Sequence, residues 1–306
     1  MLAIIAPGQG SQTPGFLTPW LTESAFRDQL VSWSEEISLD LVHLGTDAGA
    51  EEIRSTSNAQ PLLVSAGLLA MKALGDVNFA LAAGHSVGEI TAAAITGVLT
   101  QSDALALVRE RGLSMEIAAT ATPTGMSAVL GGDRDEVVKA IHALGLTAAN
   151  ENGAGQIVAA GDLTALALLG ETPPAGARVR ALTVAGAFHT SYMQSAIPHL
   201  ADFAKSVTLA NPRVLLLSNK DGEAVSSGQE FLNRIVAQVA SPVRWDLCMS
   251  TMKTLGVTGV IELPPAGTLV GLLKRALPDV ETLALKTPDD ISAARDLIAR
   301  HEKVDS

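Results

Sequence analysis

Short apolar runs alternate with longer amphipathic segments along most of the chain. Four of the short runs have the length and composition of buried strands: residues 3–6, 79–83, 214–217 and 257–263. Four of the longer segments repeat apolar residues at helical spacing: residues 61–74, 102–118, 192–208 and 245–255. Because strands that alternate with helices build parallel sheets, the pattern predicts an α/β fold.

The segment 124–185 departs from this alternation. Its apolar runs predict four strands, at residues 126–130, 146–149, 156–160 and 179–184. Asp133, with Glu136 three residues later, and Asp162 are typical helix caps, and each precedes a predicted helix between these strands. The order strand–helix–strand–strand–helix–strand is that of a ferredoxin-like unit. We therefore predict a large α/β-hydrolase-like domain with a parallel sheet, formed by residues 1–123 and 186–306. A small ferredoxin-like subdomain, residues 124–185, is inserted into it.

Composition narrows the class of protein. The chain has 306 residues, of which 47% are hydrophobic, and this is enough for one large core. A net charge of −11 argues against a nucleic-acid partner. The first apolar run lacks a basic flank, and the longest one is too short to span a bilayer. The single cysteine, Cys248, excludes an internal disulfide, and no zinc-binding spacing is present. We expect a cytoplasmic protein that binds neither membranes nor nucleic acid.

The sequence Gly-His-Ser-Val-Gly at residues 84–88 lies between a predicted strand and a predicted helix. In that context it is typical of a turn that presents a nucleophilic serine, here Ser86. The glycines suit a turn too tight for a β-carbon, and the unpaired N–H groups of the following helix can hold an oxyanion. The alternative is a serine that caps an ordinary helix. We interpret His85 as structural, because adjacent side chains diverge at a sharp turn.

The loop after the first strand offers a second oxyanion donor. Gly8 and Gly10 flank Gln9 and let the backbone approach a ligand, so the N–H of Gln9 is a candidate. A plain turn at the end of the strand is the alternative. A phosphate-binding loop is disfavoured, because no Lys-Ser/Thr pair follows.

A nucleophilic serine requires a general base. Of the six histidines, His189 lies on a loop between the last strand of the inserted segment and the next helix, where clefts form between domains. The alternative is a solvated loop histidine. No aspartate stands out as a third member, so an oxygen of Gln238 or Asn219 is a candidate to orient the imidazole.

Arg111 lies on the apolar face of the predicted helix 102–118, between Leu107 and Met115. An unpaired guanidinium there would cost several kcal/mol, so it requires an anion. An internal aspartate or glutamate is one candidate. A substrate carboxylate is the other, since the planar guanidinium can bind it through two hydrogen bonds.

Taken together, these motifs resemble the malonyl-CoA:acyl carrier protein transacylase family along nearly the whole chain. The matching segments are residues 7–12, 58–61, 84–89, 111–112 and 188–189. Two positions depart from the family pattern. Glu262 is followed by Leu-Pro-Pro-Ala-Gly instead of a Gly-Pro-Gly turn, and Ala59 replaces the usual threonine.

The resemblance implies roles for the candidate residues. Ser86 and His189 would form a catalytic dyad, with the imidazole oriented by the backbone carbonyl of Gln238. The backbone N–H groups of Gln9 and Val87 would hold the oxyanion.

The resemblance also implies how the acyl group is selected. Arg111 would bind the free carboxylate of a malonyl group, with Gln60 nearby. Val87, Ala187 and Phe188 are similar to the malonyl-selective type of related polyketide acyltransferase domains.

The activity implied is transfer of a malonyl group from coenzyme A to the phosphopantetheine thiol of an acyl carrier protein, through a malonyl-serine ester. No cofactor and no metal are implied, because malonyl-CoA is a substrate and the phosphopantetheine belongs to the carrier. The alternatives are a serine hydrolase or thioesterase of the α/β-hydrolase type, and an inert carrier-docking module. A stand-alone loader for a polyketide synthase would use identical chemistry, so the sequence favours neither fatty acid nor polyketide synthesis.

Overall fold

The computed structural model describes residues 1–301 and is of the α/β class that the sequence predicts. Within these residues the strands are β1 (Leu2–Ala6), β2 (Leu81–Gly84), β3 (Thr124–Gly131), β4 (Thr147–Gly153), β5 (Gln156–Asp162), β6 (Ala177–Leu182), β7 (Leu215–Leu216), β8 (Val243–Arg244), β9 (Gly259–Glu262) and β10 (Glu281–Ala284).

The same residues form twelve α-helices and four short 3₁₀ segments. The helices are α1 (Ser24–Glu36), α2 (Leu41–Thr46), α3 (Thr56–Leu74), α4 (Gly88–Ile95), α5 (Gln101–Thr120), α6 (Arg134–Ala143), α7 (Leu163–Glu171), α8 (Ile197–Ala204), α9 (Gly228–Gln238), α10 (Trp245–Thr254), α11 (Thr268–Ala276) and α12 (Ile291–His301). The 3₁₀ segments are Trp20–Thr22, Glu52–Arg54, Ser191–Ala196 and Pro288–Asp290. No helix within residues 1–301 is both long and apolar enough to cross a membrane.

The first sheet is parallel, with the strand order β10-β9-β1-β2-β7. Every residue of β1 is buried, and alternate side chains belong to two cores: Leu2 and Ile4 pack into one, Ala3 and Ile5 into the other. A strand covered on both faces must be apolar throughout, which explains the uninterrupted first run of the sequence. Ala6 at the end of β1 pairs with Gly84 at the end of β2. The loop after β1 and the Ser86 turn therefore leave the sheet side by side, at the edge where α/β sheets bind ligands.

The second sheet has the order β6-β3-β5-β4-β8. Its first four strands are antiparallel, whereas β8, which comes from outside residues 124–185, pairs with β4 in parallel. One face packs on α6 and α7 through side chains such as Val129 and Ile157. The caps predicted at Asp133 and Asp162 are present, since each carboxylate accepts two backbone N–H groups. The assignment of residues 124–185 as a separate subdomain stays a prediction.

The helix predicted at residues 61–74 begins five residues earlier, at Thr56. Pro61 lacks the N–H that would bond to the carbonyl oxygen of Ser57 inside a helix. That oxygen instead accepts a hydrogen bond from Nη1 of Arg109, at 2.8 Å. The arginine replaces the missing donor, so the helix continues through the proline.

The predicted helix 192–208 is divided in two. Ser191–Ala196 is a 3₁₀ segment and α8 follows it, with Pro198 in the first turn of α8 where proline is tolerated. The loop after β9 contains a cis Pro264–Pro265 bond, at the site of the departure from the family pattern. The Glu262 carboxylate accepts backbone N–H groups from Gly267 and Val270 at 2.8 Å each, and so holds the loop against the start of α11.

Candidate active site

Ser86 lies at a sharp turn between β2 and α4. Its φ angle is +53°, a region that non-glycine residues occupy only where the surrounding structure imposes it. A β-carbon at Gly84 would lie 1.9 Å from the carbonyl carbon of Gly88, and one at Gly88 would lie 2.3 Å from the carbonyl oxygen of Ala6. Neither position can hold any other residue without moving the backbone. The two glycines thus allow the turn that the motif predicts.

His189 faces Ser86 across the end of the sheet. Its Nε2 atom lies 2.8 Å from Ser86 Oγ, and its Nδ1 atom lies 2.8 Å from the carbonyl oxygen of Gln238. A carbonyl oxygen only accepts, so Nδ1 carries the proton and Nε2 is free to accept the serine proton. The interpretation of His189 as a solvated loop residue is wrong, because it is 4% exposed.

The His189 imidazole is neutral at pH 7. Burial lowers its pKa from 6.5 to about 3, and the charges of Arg111 and His85 act in the same direction. The hydrogen bond to Gln238 opposes this shift but does not outweigh it. The dyad is therefore in the protonation state that general-base chemistry requires.

Arg111, on α5, is fully buried against the dyad. Its Nη1 donates to Oε1 of Gln60 at 2.6 Å, and its Nη2 donates to Oε1 of Gln238 at 2.8 Å and to Ser86 Oγ at 3.3 Å. Its Nε has no partner within the described chain. Burial lowers the pKa of the guanidinium to about 10, against the attraction of Glu89, so the group remains charged at pH 7.

The internal ion pair considered for Arg111 is not formed with any carboxylate of residues 1–301. Glu89, the carboxylate that acts on it electrostatically, accepts the backbone N–H of Asn219 instead. Burial raises the pKa of Glu89 to about 8, so this carboxyl is largely protonated at pH 7. The guanidinium is thus held by neutral amide and hydroxyl oxygens.

Asn219 has a role that the sequence did not indicate. It was a candidate to orient the imidazole, but its Oδ1 accepts the backbone N–H of Ser86 at 2.7 Å and its Nδ2 donates to the carbonyl of Gly84 at 2.8 Å. Asn219 therefore braces the nucleophile turn, and Gln238 provides the contact to His189. The sequence signal was its position just after the predicted strand 214–217, at the ligand-binding edge of the sheet.

His85 points away from the dyad toward the second sheet. Its Nε2 lies 2.8 Å from Oδ1 of Asn152 on β4, and burial lowers its pKa. Its Nδ1 also limits the space at Gly8, where a β-carbon would lie 2.8 Å away. His85 thus packs the nucleophile turn against the loop after β1 and links the turn to β4.

Two backbone N–H groups remain free beside Ser86. Neither Gln9 nor Val87 donates its N–H to another residue of the described chain. The N–H of Ser86 itself is occupied by Asn219. Val87 directly precedes α4, so its N–H lies at the positive end of the helix dipole. Both N–H groups are therefore without a hydrogen-bond acceptor within residues 1–301.

A cleft of about 460 Å³ opens onto the dyad between the two sheets. The main-sheet side contributes Gln9, Gln60, Ser86, Phe188 and His189, and the second sheet contributes Met126, Asn150 and Val158. Arg111 does not line the cleft, whereas Gln60 and Ser86, which both bond to it, do. A second cavity of about 540 Å³ lies behind Gln238 along α9 but includes neither dyad residue.

The fold and this site are those of an α/β enzyme with a serine–histidine dyad. Comparison with known proteins is more specific. Residues 4–295 match the family model described as the acyl transferase domain. The malonyl CoA-acyl carrier protein transacylase of Mycobacterium tuberculosis is 50% identical over 305 residues, which cover 97% of this chain and all of that protein. The protein of the same name from Escherichia coli is 31% identical, covering 96% of this chain and 99% of its own length.

Solved structures agree with this assignment. The crystal structure of MCAT from Mycobacterium tuberculosis superposes with a TM-score of 0.92 at 51% identity, covering 96% of this chain and 99% of that one. A malonyl-transacylase in complex with a type II PKS acyl-carrier protein superposes with a TM-score of 0.90 at 28% identity, covering 96% and 99%. The chain belongs to the malonyl CoA-acyl carrier protein transacylase family.

Proposed function

We propose that this enzyme transfers a malonyl group from coenzyme A to the phosphopantetheine thiol of an acyl carrier protein, through an ester on Ser86. The proposal rests on the close approach of three groups: the Ser86 hydroxyl, the His189 imidazole and the Arg111 guanidinium. Ser86 Oγ lies 2.8 Å from His189 Nε2 and 3.3 Å from Arg111 Nη2. A nucleophile, a base and a cation without a carboxylate partner suit an acyl donor that carries a carboxylate.

In the first half-reaction, His189 Nε2 takes the proton of Ser86 as Oγ attacks the thioester carbonyl. The oxyanion that forms is held by the N–H groups of Gln9 and Val87. The C–S bond then breaks, and the departing thiolate of coenzyme A takes the proton from His189. The product is a malonyl ester on Ser86.

In the second half-reaction, His189 takes the proton of the carrier's pantetheine thiol. The sulfur attacks the ester carbonyl, the C–O bond to Ser86 breaks, and Oγ recovers the proton. Both half-reactions balance with the two substrates alone, so the proposal includes no cofactor. Gln238 contributes by holding the imidazole through its carbonyl oxygen.

The malonyl carboxylate is proposed to bind Arg111 in place of the Gln60 amide oxygen. Gln60 lines the cleft and accepts from Arg111 Nη1, so a carboxylate that takes the place of its oxygen would contact the guanidinium. Within residues 1–301, the Gln60 amide nitrogen donates only to Met115 Sδ, at 3.3 Å, and a thioether is a weak acceptor. Gln60 can therefore turn at little cost and donate its N–H₂ to the carboxylate. Phe188, buried on the cleft wall beside the dyad, and Val87, buried after Ser86, are proposed to limit the size of the acyl chain.

The partners proposed are a coenzyme A thioester and an acyl carrier protein, with no nucleic acid and no membrane, in the cytoplasm. The family relatives carry these partners in their names, and one related structure contains a type II PKS carrier. A stand-alone polyketide loader therefore remains an equivalent form of the same activity. Residues 124–185 are proposed to form the subdomain that covers the cleft.

The rival function is a serine hydrolase with the same acyl-enzyme. The fate of the malonyl group separates the two. We expect malonyl-CoA and a phosphopantetheinylated carrier to give malonyl-carrier as the main product, measured by mass spectrometry, with free malonate as a minor one. A carrier lacking phosphopantetheine is the matched control and should give none. Free malonate as the main product in the presence of the modified carrier would establish a hydrolase.

A further inference from the structure

The guanidinium of Arg111 contacts the nucleophile itself and not only the place where a substrate carboxylate would bind. One Nη2 hydrogen bond goes to Ser86 Oγ, at 3.3 Å, and the same oxygen lies 2.8 Å from His189. A hydrogen bond from a cation engages a lone pair of the oxygen that must attack. The arrangement therefore makes Ser86 less nucleophilic while Arg111 remains paired to neutral groups.

The same cation acts on the base. The ionisable groups that act on the His189 imidazole are Arg111 from α5 and, more weakly, His85 from the nucleophile turn. After burial, the charge of Arg111 is the largest influence that lowers the pKa of His189. Glu89, from α4, is largely protonated at pH 7 and does not offset that charge fully. Any anion that pairs with Arg111 would therefore make His189 a stronger base for the Ser86 proton.

We infer that a carboxylate bound to Arg111 activates Ser86, so that the malonyl carboxylate speeds formation of its own ester in addition to being recognised. The exchange of the Gln60 oxygen for a carboxylate neutralises the cation and draws Nη2 away from Oγ. This inference rests on the proposed function. Thioesters without a carboxylate would then fail mainly in the rate of serine acylation and less in binding.

A substrate divided into two pieces tests the inference in the unmodified enzyme. Acetyl-CoA with free formate supplies the acyl group and the carboxylate of a malonyl group without the bond between them. Formate should raise the rate of Ser86 acetylation by about tenfold, the equivalent of one pKa unit of base strength. The effect should saturate, and formate is not consumed. Formamide, similar in shape but uncharged, is the matched control and should have no effect.

A variant provides the carboxylate permanently. Gln60→Glu places an anion where Oε1 accepts from Arg111 Nη1, at 2.6 Å in this structure. Without formate, this variant should be acetylated faster than the unmodified enzyme. Added formate should not change its acetylation rate, and malonyl-CoA should acylate it more slowly. The acid limb of its acetylation rate should move to higher pH, a change that a purely structural role would not produce. Gln60→Met, of similar size without charge, should gain no acetylation in the absence of formate.

The outcomes separate the inference from the proposed function. If the unmodified enzyme forms malonyl-Ser86 but formate leaves its acetylation unchanged or inhibits it, the inference is overturned and the proposed function stands. This result does not depend on whether Gln60→Glu folds. If malonyl-CoA does not label Ser86 at all, the proposed function fails and the inference fails with it.

Discussion

The backbone N–H of Ser86 donates to Oδ1 of Asn219 at 2.7 Å, although 133 positions separate the two residues in the sequence. The other end of the same amide donates to the carbonyl of Gly84. One side chain thus holds the two backbone groups that flank His85, directly before the nucleophile. Because the Ser86 N–H is occupied, the proposed oxyanion donor is the next N–H, that of Val87.

Removal of this brace should affect stability and rate together. Asn219→Ala leaves the Ser86 N–H and the Gly84 carbonyl buried without partners, and each such group costs about 1–3 kcal/mol. We expect a loss of that order in the free energy of unfolding, measured by urea denaturation, and slower acylation of Ser86. Asn150→Ala is a matched control for stability, because the Asn150 Oδ1 has no partner in the described chain. Equal stability losses in the two variants would contradict the role of Asn219.

Because there is no room for a β-carbon at Gly88, we expect the substitution Gly88→Ala to abolish most of the acylation activity. The β-carbon in Gly88→Ala would lie 2.3 Å from the Ala6 carbonyl oxygen, so β1 and the nucleophile turn must move apart. We expect little or no acylation of Ser86, measured by intact-protein mass spectrometry. Gly170→Ala, on α7, meets nothing within 4 Å and should retain acylation, with stability equal or higher by up to about 1 kcal/mol. Normal acylation by Gly88→Ala would show that the turn is not as tight as described.

The lowered pKa of His189 predicts an unusual pH profile. Acylation requires the unprotonated imidazole, and its pKa lies near 3 instead of 6.5. The rate of Ser86 acylation by malonyl-CoA under kcat/KM conditions should therefore stay nearly constant from about pH 8 to about pH 5. In Arg111→Met, the pH below which the rate falls should rise toward 6.5, because a positive charge that lowers the pKa of His189 has been removed. A limb near 6.5 in the unmodified enzyme would contradict this account.

Glu89 predicts a pH dependence of stability with a definite sign. Its pKa is raised from 4.5 to about 8, so the folded state keeps a proton that the unfolded state releases. This stabilising contribution is complete below about pH 4.5 and is lost as the pH rises toward 8. Glu89→Gln has no such proton, so its urea midpoint should change less than that of the unmodified protein across this window. Parallel curves for the two proteins would show that Glu89 titrates normally.

Arg111 predicts the acyl preference. Arg111→Met removes two charged hydrogen bonds to a bound carboxylate, so malonyl loading should fall by about 100-fold or more. Acetyl loading should be retained or increase. Arg27→Met is the control, since Arg27 is exposed on α1 and does not line the cleft. An unchanged ratio of malonyl to acetyl loading in Arg111→Met would contradict the carboxylate clamp.

Local patterns predicted those parts of the site that depend on local structure. The glycine-flanked turn indicated Ser86, and helical periodicity placed Arg111 on a buried face, where the structure has it. Gln238 and Asn219 were alternative candidates to orient the imidazole, the family resemblance selected the carbonyl of Gln238, and the brace by Asn219 was not predicted. Gln238 ends α9 and Asn219 follows β7, and both contact the nucleophile turn or His189 only in the folded chain. No local sequence pattern indicates such long-range contacts. The early start of α3 likewise depends on Arg109, a long-range donor to the Ser57 carbonyl.

The central claim is that Ser86 carries the malonyl group. Incubation with malonyl-CoA, followed by acid quenching and peptide mass spectrometry, tests it most directly. We predict one malonyl group per chain, on the peptide that contains Ser86. This label should be absent from Ser86→Ala. In the unmodified enzyme it should disappear when the phosphopantetheinylated carrier is added. Malonyl transfer to the carrier by Ser86→Ala, or a label on a different residue, would contradict the account.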